Sequence, residues 1–238
     1  MKKIVIGTAN FNDKYGINNI KINFSELKYN LFNYIRKKKL NFFDTSLNYK
    51  LDKNFIDKLN FQESKIITKF SLPKQNKNKF LDNLQTELLN KKKQFKIKNY
   101  EAILLHNVND LHSTFKNKII ANLKNLKKQK QVKKIGVSIY SPNDLKVVFA
   151  NFDPDFIQAP INVFDKRLIE SDWMKIIKKK KVSIQARSVF LQGLLLMSPK
   201  ELKKQKINKK LIKQIQDFEK WCKKKKISRL EACLQFIN

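Results

Sequence analysis

The sequence is poor in glycine, cysteine and histidine, and each shortage excludes a kind of site. It has four glycines, two cysteines and two histidines among 238 residues. No G-x-G-x-x-G motif occurs, so a Rossmann-type dinucleotide site has no support. Neither His106 nor His112 has a second ligand at helical or hairpin spacing, which argues against a metal site. We interpret His112, in a polar segment, as structural.

The two cysteines do not indicate a cross-link. Cys222 and Cys233 fall on one predicted helical stretch, at a spacing that suits neither a metal site nor a disulfide. We interpret both as ordinary reduced thiols.

Long apolar runs are missing as well. Residues 1–3 carry the charge of a signal peptide's start, but the apolar run at 4–6 is too short for its core. No run reaches the length of a membrane span. We expect a soluble, cytoplasmic protein without a membrane partner. The hydrophobic content of 42% suffices for one domain over residues 1–238.

Acidic residues are few, and lysine is abundant. The chain has 52 Lys and Arg against 20 Asp and Glu, a formal net charge of +32, which suggests a nucleic-acid partner at first sight. The lysine runs lie at 37–39, 91–93, 127–134, 178–181 and 223–226. The first four directly precede predicted strands, where helices end and cations complement the helix dipole. Few aromatic residues accompany these runs. We therefore expect solvated helix ends, with a basic interaction or nucleic-acid-binding protein as the less favoured alternative.

Apolar runs and amphipathic stretches alternate regularly along the chain. Candidate strands lie at about 4–8, 41–45, 65–69, 101–105, 135–139, 156–159 and 182–186. Such alternation predicts a parallel sheet and an α/β fold of the (β/α)8 TIM-barrel type. Only seven strand-helix units are present, so an incomplete barrel is expected.

Two local signals support this arrangement. Ser141, Pro142 and Asp144 read as an N-cap, a first-turn proline and an acid that begin one helix. The four glycines, Gly7, Gly16, Gly136 and Gly193, fall at predicted strand ends or turns, where we expect backbone geometry to require them.

Three predicted strands end in titratable residues. Asp44 and Tyr49 follow the apolar pair at 42–43, Lys69 ends the run at 65–69, and His106 follows the run at 102–105. In a parallel barrel the carboxyl ends of the strands meet at one rim, where active sites lie. The sequence therefore predicts that Asp44, Tyr49, Lys69 and His106 converge.

These side chains suit carbonyl chemistry. A lysine ammonium beside Tyr49 would lower the pKa of the phenol, which is ordinarily near 10, and would make Tyr49 a better general acid. Lys69 would need Asp44 as its counter-charge, because an unpaired buried ion is costly. His106 could donate a hydrogen bond to a substrate oxygen and orient the carbonyl.

Each residue also has a purely structural interpretation. Tyr49 could be a loop aromatic, Asp44 a cap, Lys69 one lysine among many, and His106 a satisfied core histidine.

The quartet resembles the catalytic residues of the aldo-keto reductases in type and chain order. Further segments match this family in order. They are residues 7–11 with Tyr15 and Gly16, residues 105–107, residues 135–138, residues 158–162 (QAPIN) and residues 188–193 (SVFLQG).

The resemblance implies NADPH or NADH as hydride donor for the reduction of an aldehyde or ketone to an alcohol. Ser138 and Gln158 match positions that bind the nicotinamide carboxamide. Arg187 stands where many members carry an aromatic that stacks on the nicotinamide ring. The segment with Ser188, Leu191 and Gly193 matches the loop that meets the pyrophosphate.

Two departures from the family accompany these matches. Ile139 replaces the Asn that many members carry after the serine. Residues 229–237 resemble the helix before the family's eighth strand, so we expect a C-terminally truncated domain without the adenosine-binding segment. Its unclosed edges could support self-association. A non-catalytic dinucleotide-binding or regulatory barrel stays open beside an active reductase. Neither the substrate nor the choice between NADPH and NADH follows from the sequence.

Overall fold

Seven parallel strands build one curled sheet. The structure, a computed structural model, describes residues 4–9, 11, 24–51 and 53–238. Its strands are β1 (Ile6–Gly7), β2 (Phe42–Asp44), β3 (Lys65–Phe70), β4 (Tyr100–Leu105), β5 (Val132–Ser138), β6 (Phe156–Pro160) and β7 (Ser183–Arg187). They pair in chain order, β1 to β7, and every pair is parallel.

Helices follow the strands along the chain. They are α1 (Phe24–Lys37), α2 (Lys53–Lys58), α3 (Lys77–Phe95), α4 (Lys116–Lys128), α5 (Asp144–Asn151), α6 (Trp173–Lys179), α7 (Pro199–Lys203), α8 (Lys209–Lys224) and α9 (Arg229–Ile237). The predicted incomplete barrel of seven strands is confirmed. Within the described residues β1 and β7 are the two edges of the sheet. Self-association through these edges stays a prediction.

The two faces of the sheet have different roles, because side chains alternate along each strand. Outward-facing residues such as Phe43, Ile103 and Ile157 join the main hydrophobic core beneath the helices. Inward-facing residues form a smaller apolar cluster, made of Ile67, Ala102, Leu104 and Phe156 with Val5 and Phe42 packed against it. Polar inward-facing residues lie nearer the carboxyl ends of the strands. The curl thus gives the barrel an apolar base and a polar rim.

Lysines in a left-handed conformation end the helices. Lys39, Lys96, Lys130, Lys181 and Lys226 have φ between 51° and 57°. In each case the lysine N–H bonds three residues back, and the next residue's N–H bonds five residues back. This is the Schellman motif, whose left-handed position is usually glycine. The first four of these lysines shortly precede β2, β4, β5 and β7, so the prediction that lysine runs mark helix ends before strands is confirmed.

Glycine meets a geometric need at two described positions. A Cβ on Gly136 would lie 2.1 Å from the Phe156 carbonyl oxygen, and Gly193 has φ of 95°. At Gly7, by contrast, no atom lies within 4 Å of an added Cβ, so the expectation of a geometric requirement is wrong there. Gly16 and Tyr15 lie outside the described residues.

Several predicted details differ in the structure. Strand β5 begins at Val132 rather than near 135, because it pairs with β4 from Val132 onward, opposite Tyr100. Lys133 also forms an ion pair with Glu101 on β4 at 3.1 Å. The helix predicted to begin around Ser141 begins at Asp144, whose carboxylate accepts from the backbone N–H groups of Tyr140 and Ser141.

The two cysteines lie on different helices, so placing them on one stretch was wrong. Cys222 belongs to α8 and Cys233 to α9, and the left-handed Lys226 separates the two helices. Both are free and buried, and burial raises the pKa of both thiols. Among the described helices, none is long and apolar enough to span a membrane. The cytoplasmic location stays a prediction.

Glycine should relieve strain at Lys130. Lys130→Gly and Lys130→Ala remove the same charge, but only alanine keeps a Cβ at positive φ. We expect the glycine variant to be more stable by about 1 kcal/mol in urea unfolding. At Lys124, exposed and inside α4, the order should reverse by a similar amount, because alanine favours helices. If the glycine and alanine variants ranked in the same order of stability at both positions, Lys130 would not be a left-handed helix cap.

Candidate active site

A buried ion pair lies at the polar rim inside the barrel. Lys69 Nζ is 2.5 Å from both carboxylate oxygens of Asp44, and the Lys69 side chain is only 3% exposed. Asp44 ends β2, and Lys69 is the penultimate residue of β3. The inward turn of both side chains brings the charges together. A lysine buried to this extent requires a counter-charge, and Asp44 provides it.

The segment after β2 folds over the end of β3. The N–H of Leu47 donates to the Lys69 carbonyl oxygen at 2.9 Å, and the Ser46 hydroxyl donates to the same oxygen at 3.2 Å. The N–H of Tyr49 then closes a turn onto the Ser46 carbonyl at 3.0 Å. These bonds tie the half-buried Tyr49 to the segment that carries Lys69. The position of Tyr49 therefore depends on local turns rather than on a strand.

His106 extends β4 by one residue at the rim. Its N–H donates to the Phe70 carbonyl at 2.8 Å, which fixes the backbone beside β3. Burial lowers the pKa of the half-buried imidazole, and the charges of Lys69 and Arg187 lower it further against the opposing effect of Asp44. The imidazole is therefore neutral over a wider pH range than an exposed histidine, and neutral imidazole can donate or accept a hydrogen bond.

A cleft of about 470 Å³ opens beside His106. Its lining comes from three segments that each follow a strand: Ser71, His106, Asn107, Val108, Asn109, Tyr140 and Asp144. Asp110 braces it, because its carboxylate accepts from the Leu72 N–H at 3.1 Å and so ties the segment after β4 to the segment after β3. Burial raises the pKa of Asp110. The cleft has room for a small substrate next to His106.

A row of polar side chains crosses the inner face further along the sheet. Ser138 and Gln158 are register partners on β5 and β6, and both are almost fully buried. The Ser138 hydroxyl donates to Gln158 Oε1 at 3.4 Å, whereas Gln158 Nε2 has no partner within the described chain. A buried donor without an acceptor is costly, so this atom points to a ligand. The carboxamide of a nicotinamide ring carries the oxygen that it needs.

Arg187 lies at the end of β7 and is held by two neighbours. Its Nη2 donates to the Ile139 carbonyl at 2.9 Å, and its guanidinium lies 4.4 Å from the centre of the Tyr140 ring. Tyr140 covers one face of the guanidinium, so only the opposite face can be offered to a ligand. Stacking of Arg187 on a nicotinamide ring stays a prediction.

The 188–193 loop has an unusual backbone. Ser188, Leu191, Gln192 and Gly193 all have φ between 48° and 95°. Asn162, 1% exposed, donates to the Ser188 carbonyl at 3.1 Å and thereby anchors the loop. Strained backbone of this kind can turn successive N–H groups towards an anion. The N–H groups of Leu191 and Gly193 already donate within the loop, to the Ser188 and Phe190 carbonyls. Contact of this loop with a pyrophosphate therefore stays a prediction, and the partnerless Gln158 Nε2 is the observation that fits a dinucleotide.

The structure brings several of the predicted site residues together, whereas the approach of the Tyr49 hydroxyl to Lys69 stays a prediction. Asp44, Lys69 and His106 are within electrostatic reach of one another, and Ser138 and Gln158 make direct contact. Sequence reasoning assigned no role of their own to Tyr140, to Asn162 or to the cleft-lining residues other than His106. Their signal was present in the chain, since each follows a predicted strand by a few positions. Among the described residues no group of three possible metal ligands occurs.

Comparison with known families agrees with this arrangement. The profile described as "Aldo/keto reductase family" matches residues 3–238. The chain belongs to the aldo/keto reductase family. No curated protein matches it in a sequence search.

Solved structures of this family share the fold. A glycerol dehydrogenase from Gluconobacter oxydans superimposes with a TM-score of 0.69 at 18% identity, over 98% of this chain and 78% of that one. An apo aldo-keto reductase from Bacillus halodurans gives 0.54 at 19% identity, over 70% of this chain and 56% of that one.

A third aldo/keto reductase, from Klebsiella pneumoniae, was solved in complex with NADP and acetate. It gives a TM-score of 0.57 at 12% identity, over 82% of this chain and 69% of that one. The chain therefore spans between 56% and 78% of the length of these three proteins. At such identities the likeness shows the fold alone.

Removing one partner of the ion pair should destabilise this family member strongly. Asp44→Leu leaves the Lys69 ammonium buried without a counter-charge, and we expect a loss of about 3–5 kcal/mol in the free energy of unfolding. Adding Lys69→Met should restore most of that loss. Asp172→Leu, which breaks a fully exposed pair with Lys175, should leave the urea midpoint unchanged. A stable Asp44→Leu single variant would show that the Lys69 ammonium does not need Asp44 as its counter-charge.

Stability should fall as pH drops because of His106. The unfolded chain takes up a proton near the ordinary histidine value of 6.5, whereas the folded chain takes it up only at lower pH. Protonation between these values therefore favours unfolding. From about pH 7.5 to about 5.5, we expect wild type to lose more stability than His106→Gln. His112→Gln, at an exposed histidine, should behave like wild type. If the stability of His106→Gln depended on pH as that of wild type does, the lowered pKa of His106 would not be the cause.

Proposed function

We propose that this protein reduces an aldehyde or ketone to an alcohol with NADPH or NADH as the electron donor. The buried Lys69–Asp44 pair beside His106 is the observation that carries the proposal. A lysine held at 3% exposure contributes little stability that an apolar side chain would not, so its retention points to chemistry.

Each rim residue has a role in this proposal. Tyr49 acts as the general acid and gives its phenolic proton to the carbonyl oxygen. Lys69 lowers the pKa of that phenol through its positive charge, and Asp44 keeps the ammonium in place. His106 donates a hydrogen bond that orients the carbonyl in the adjoining cleft. The low pKa of His106 supports this role, because a neutral imidazole orients the substrate without adding a second cation beside Lys69.

The cofactor would be held along the other half of the rim. Ser138 and Gln158 would bind the carboxamide, Arg187 would lie against the ring, and the 188–193 loop with Ser188, Leu191 and Gly193 would meet the pyrophosphate. When bound, the dinucleotide supplies a hydride to the carbonyl carbon. The NADP complex of the Klebsiella family member supports a nicotinamide cofactor, and the choice between NADPH and NADH is left to the assay.

The cleft of about 470 Å³ has room for a small carbonyl compound. The first experiment is therefore NADPH and NADH oxidation followed by absorbance, with short aldehydes, ketones and sugar-like carbonyls as substrates. Turnover supports the reductase. Dinucleotide binding without turnover of any substrate would favour a non-catalytic or regulatory barrel. Salt-dependent binding of DNA or RNA without dinucleotide affinity would favour the basic interaction protein instead.

Tyr49→Phe tests the general acid. It removes only the phenolic oxygen, so we expect kcat to fall by about 10²–10⁴-fold while dinucleotide affinity stays near that of wild type. Tyr140→Phe is the matched control, since Tyr140 lines the cleft but has no assigned proton transfer. A Tyr49→Phe variant that keeps more than about a tenth of the wild-type kcat would remove Tyr49 from this role.

A further inference from the structure

Two buried amide atoms on neighbouring strands have no hydrogen-bond partner. They are Nε2 of Gln158 on β6 and Oε1 of Gln185 on β7, and neither finds a partner within the described chain. The two residues are register partners, so their side chains leave the sheet on the same inner face. Neighbouring strands lie about 4.8 Å apart, which places the two amides side by side.

The orphaned atoms are opposite in character. Gln158 Nε2 is a donor, and Gln185 Oε1 is an acceptor. Burying either one without a partner costs free energy, so two in one place form an unusual feature. Arg187 Nε, two residues further along the same face of β7, is a third buried donor without a partner. Unsatisfied polar atoms thus gather on the inner face of β6 and β7.

The surroundings of Gln158 orient its side chain towards Gln185. Gln158 Oε1 already accepts the Ser138 hydroxyl, which directs Nε2 away from β5 and towards β7. Ile139, which follows Ser138, is apolar and 1% exposed, so its side chain supplies no further hydrogen bond. The next polar side chain along the row is Gln185.

A primary carboxamide matches this pair. Its oxygen can accept from Gln158 Nε2 while its NH2 group donates to Gln185 Oε1. We propose that Gln185 is a further cofactor-binding residue that accepts a hydrogen bond from the nicotinamide carboxamide. This inference rests on the cofactor class proposed above. With Gln158, Gln185 makes a two-point contact, which fixes the rotation of the carboxamide and the face of the ring turned to the substrate.

The test compares two ligands and needs no turnover. In the analogue 3-acetylpyridine adenine dinucleotide phosphate, a methyl group replaces the carboxamide NH2. Dissociation constants of its reduced form and of NADPH are measured by fluorescence titration. Wild type should bind NADPH about 5- to 30-fold more tightly than the analogue, because the analogue leaves Gln185 Oε1 unpaired. Gln185→Leu should weaken NADPH binding by a similar factor and bind the two ligands equally.

Two variants serve as controls. Gln185→Glu keeps an acceptor oxygen and should retain the preference for NADPH. Gln214→Leu, at an exposed glutamine on α8, should match wild type in both titrations. Gln185→Met lacks the acceptor but is flexible, and it replaces the leucine variant if that variant melts before the titration temperature.

The outcomes separate this inference from the proposed function. If wild type binds neither dinucleotide, the cofactor class is wrong and the inference falls with it. If wild type binds NADPH and the analogue equally, Gln185 makes no contact with the NH2 group. If the preference persists in Gln185→Leu, while the melting temperature falls, Gln185 serves the structure alone. The last two results overturn the inference and leave the proposed reductase intact.

Discussion

A positive charge buried inside the barrel is the constraint around which the rim is arranged. The Lys69 ammonium is removed from water, and Asp44 lies against it. The same two strands must therefore stay in register, since a slip of one residue would turn one charge to the outer face. The segment after β2 bonds to the Lys69 carbonyl. Burial lowers the pKa of His106, and the charge of Lys69 lowers it further. Local structure and electrostatics at this part of the rim thus both depend on the residues of this pair.

The inner face of the sheet separates two tasks along the barrel axis. Its base is apolar and holds the strands together, as the contacts of Ile67, Leu104 and Phe156 show. Its rim is polar and contains the atoms without partners, at Gln158, Gln185 and Arg187. Apolar packing at the base stabilises the fold, whereas polar atoms at the rim are left without hydrogen-bond partners. That division is expected where a ligand supplies the missing contacts.

Much of this arrangement could be predicted from the sequence. Apolar runs located the strands, and because parallel strands share one carboxyl rim, Asp44, Lys69 and His106 could be placed together without a structure. Gln185 was also within reach, since Ser183, Gln185 and Arg187 alternate with apolar residues along β7. The stacking of Arg187 on Tyr140 could not be predicted from the sequence, because it depends on how two side chains at the ends of different strands meet. The break between α8 and α9 was missed because this chain has Lys226 where helix-end rules look for glycine or proline. The capping box of Ser228 and Glu231 was a signal for it that the sequence did contain.

The lysine caps also bear on how the folded molecule moves. A non-glycine residue at positive φ stores strain that is released when its helix end unwinds. The first four of these caps shortly precede strands at the barrel base, away from the ion pair and the cleft. Opening of these helix ends should therefore cost less free energy than opening of the helices that they end. We expect backbone amides such as those of Leu40 and Val182 to exchange with solvent before amides inside the preceding helices.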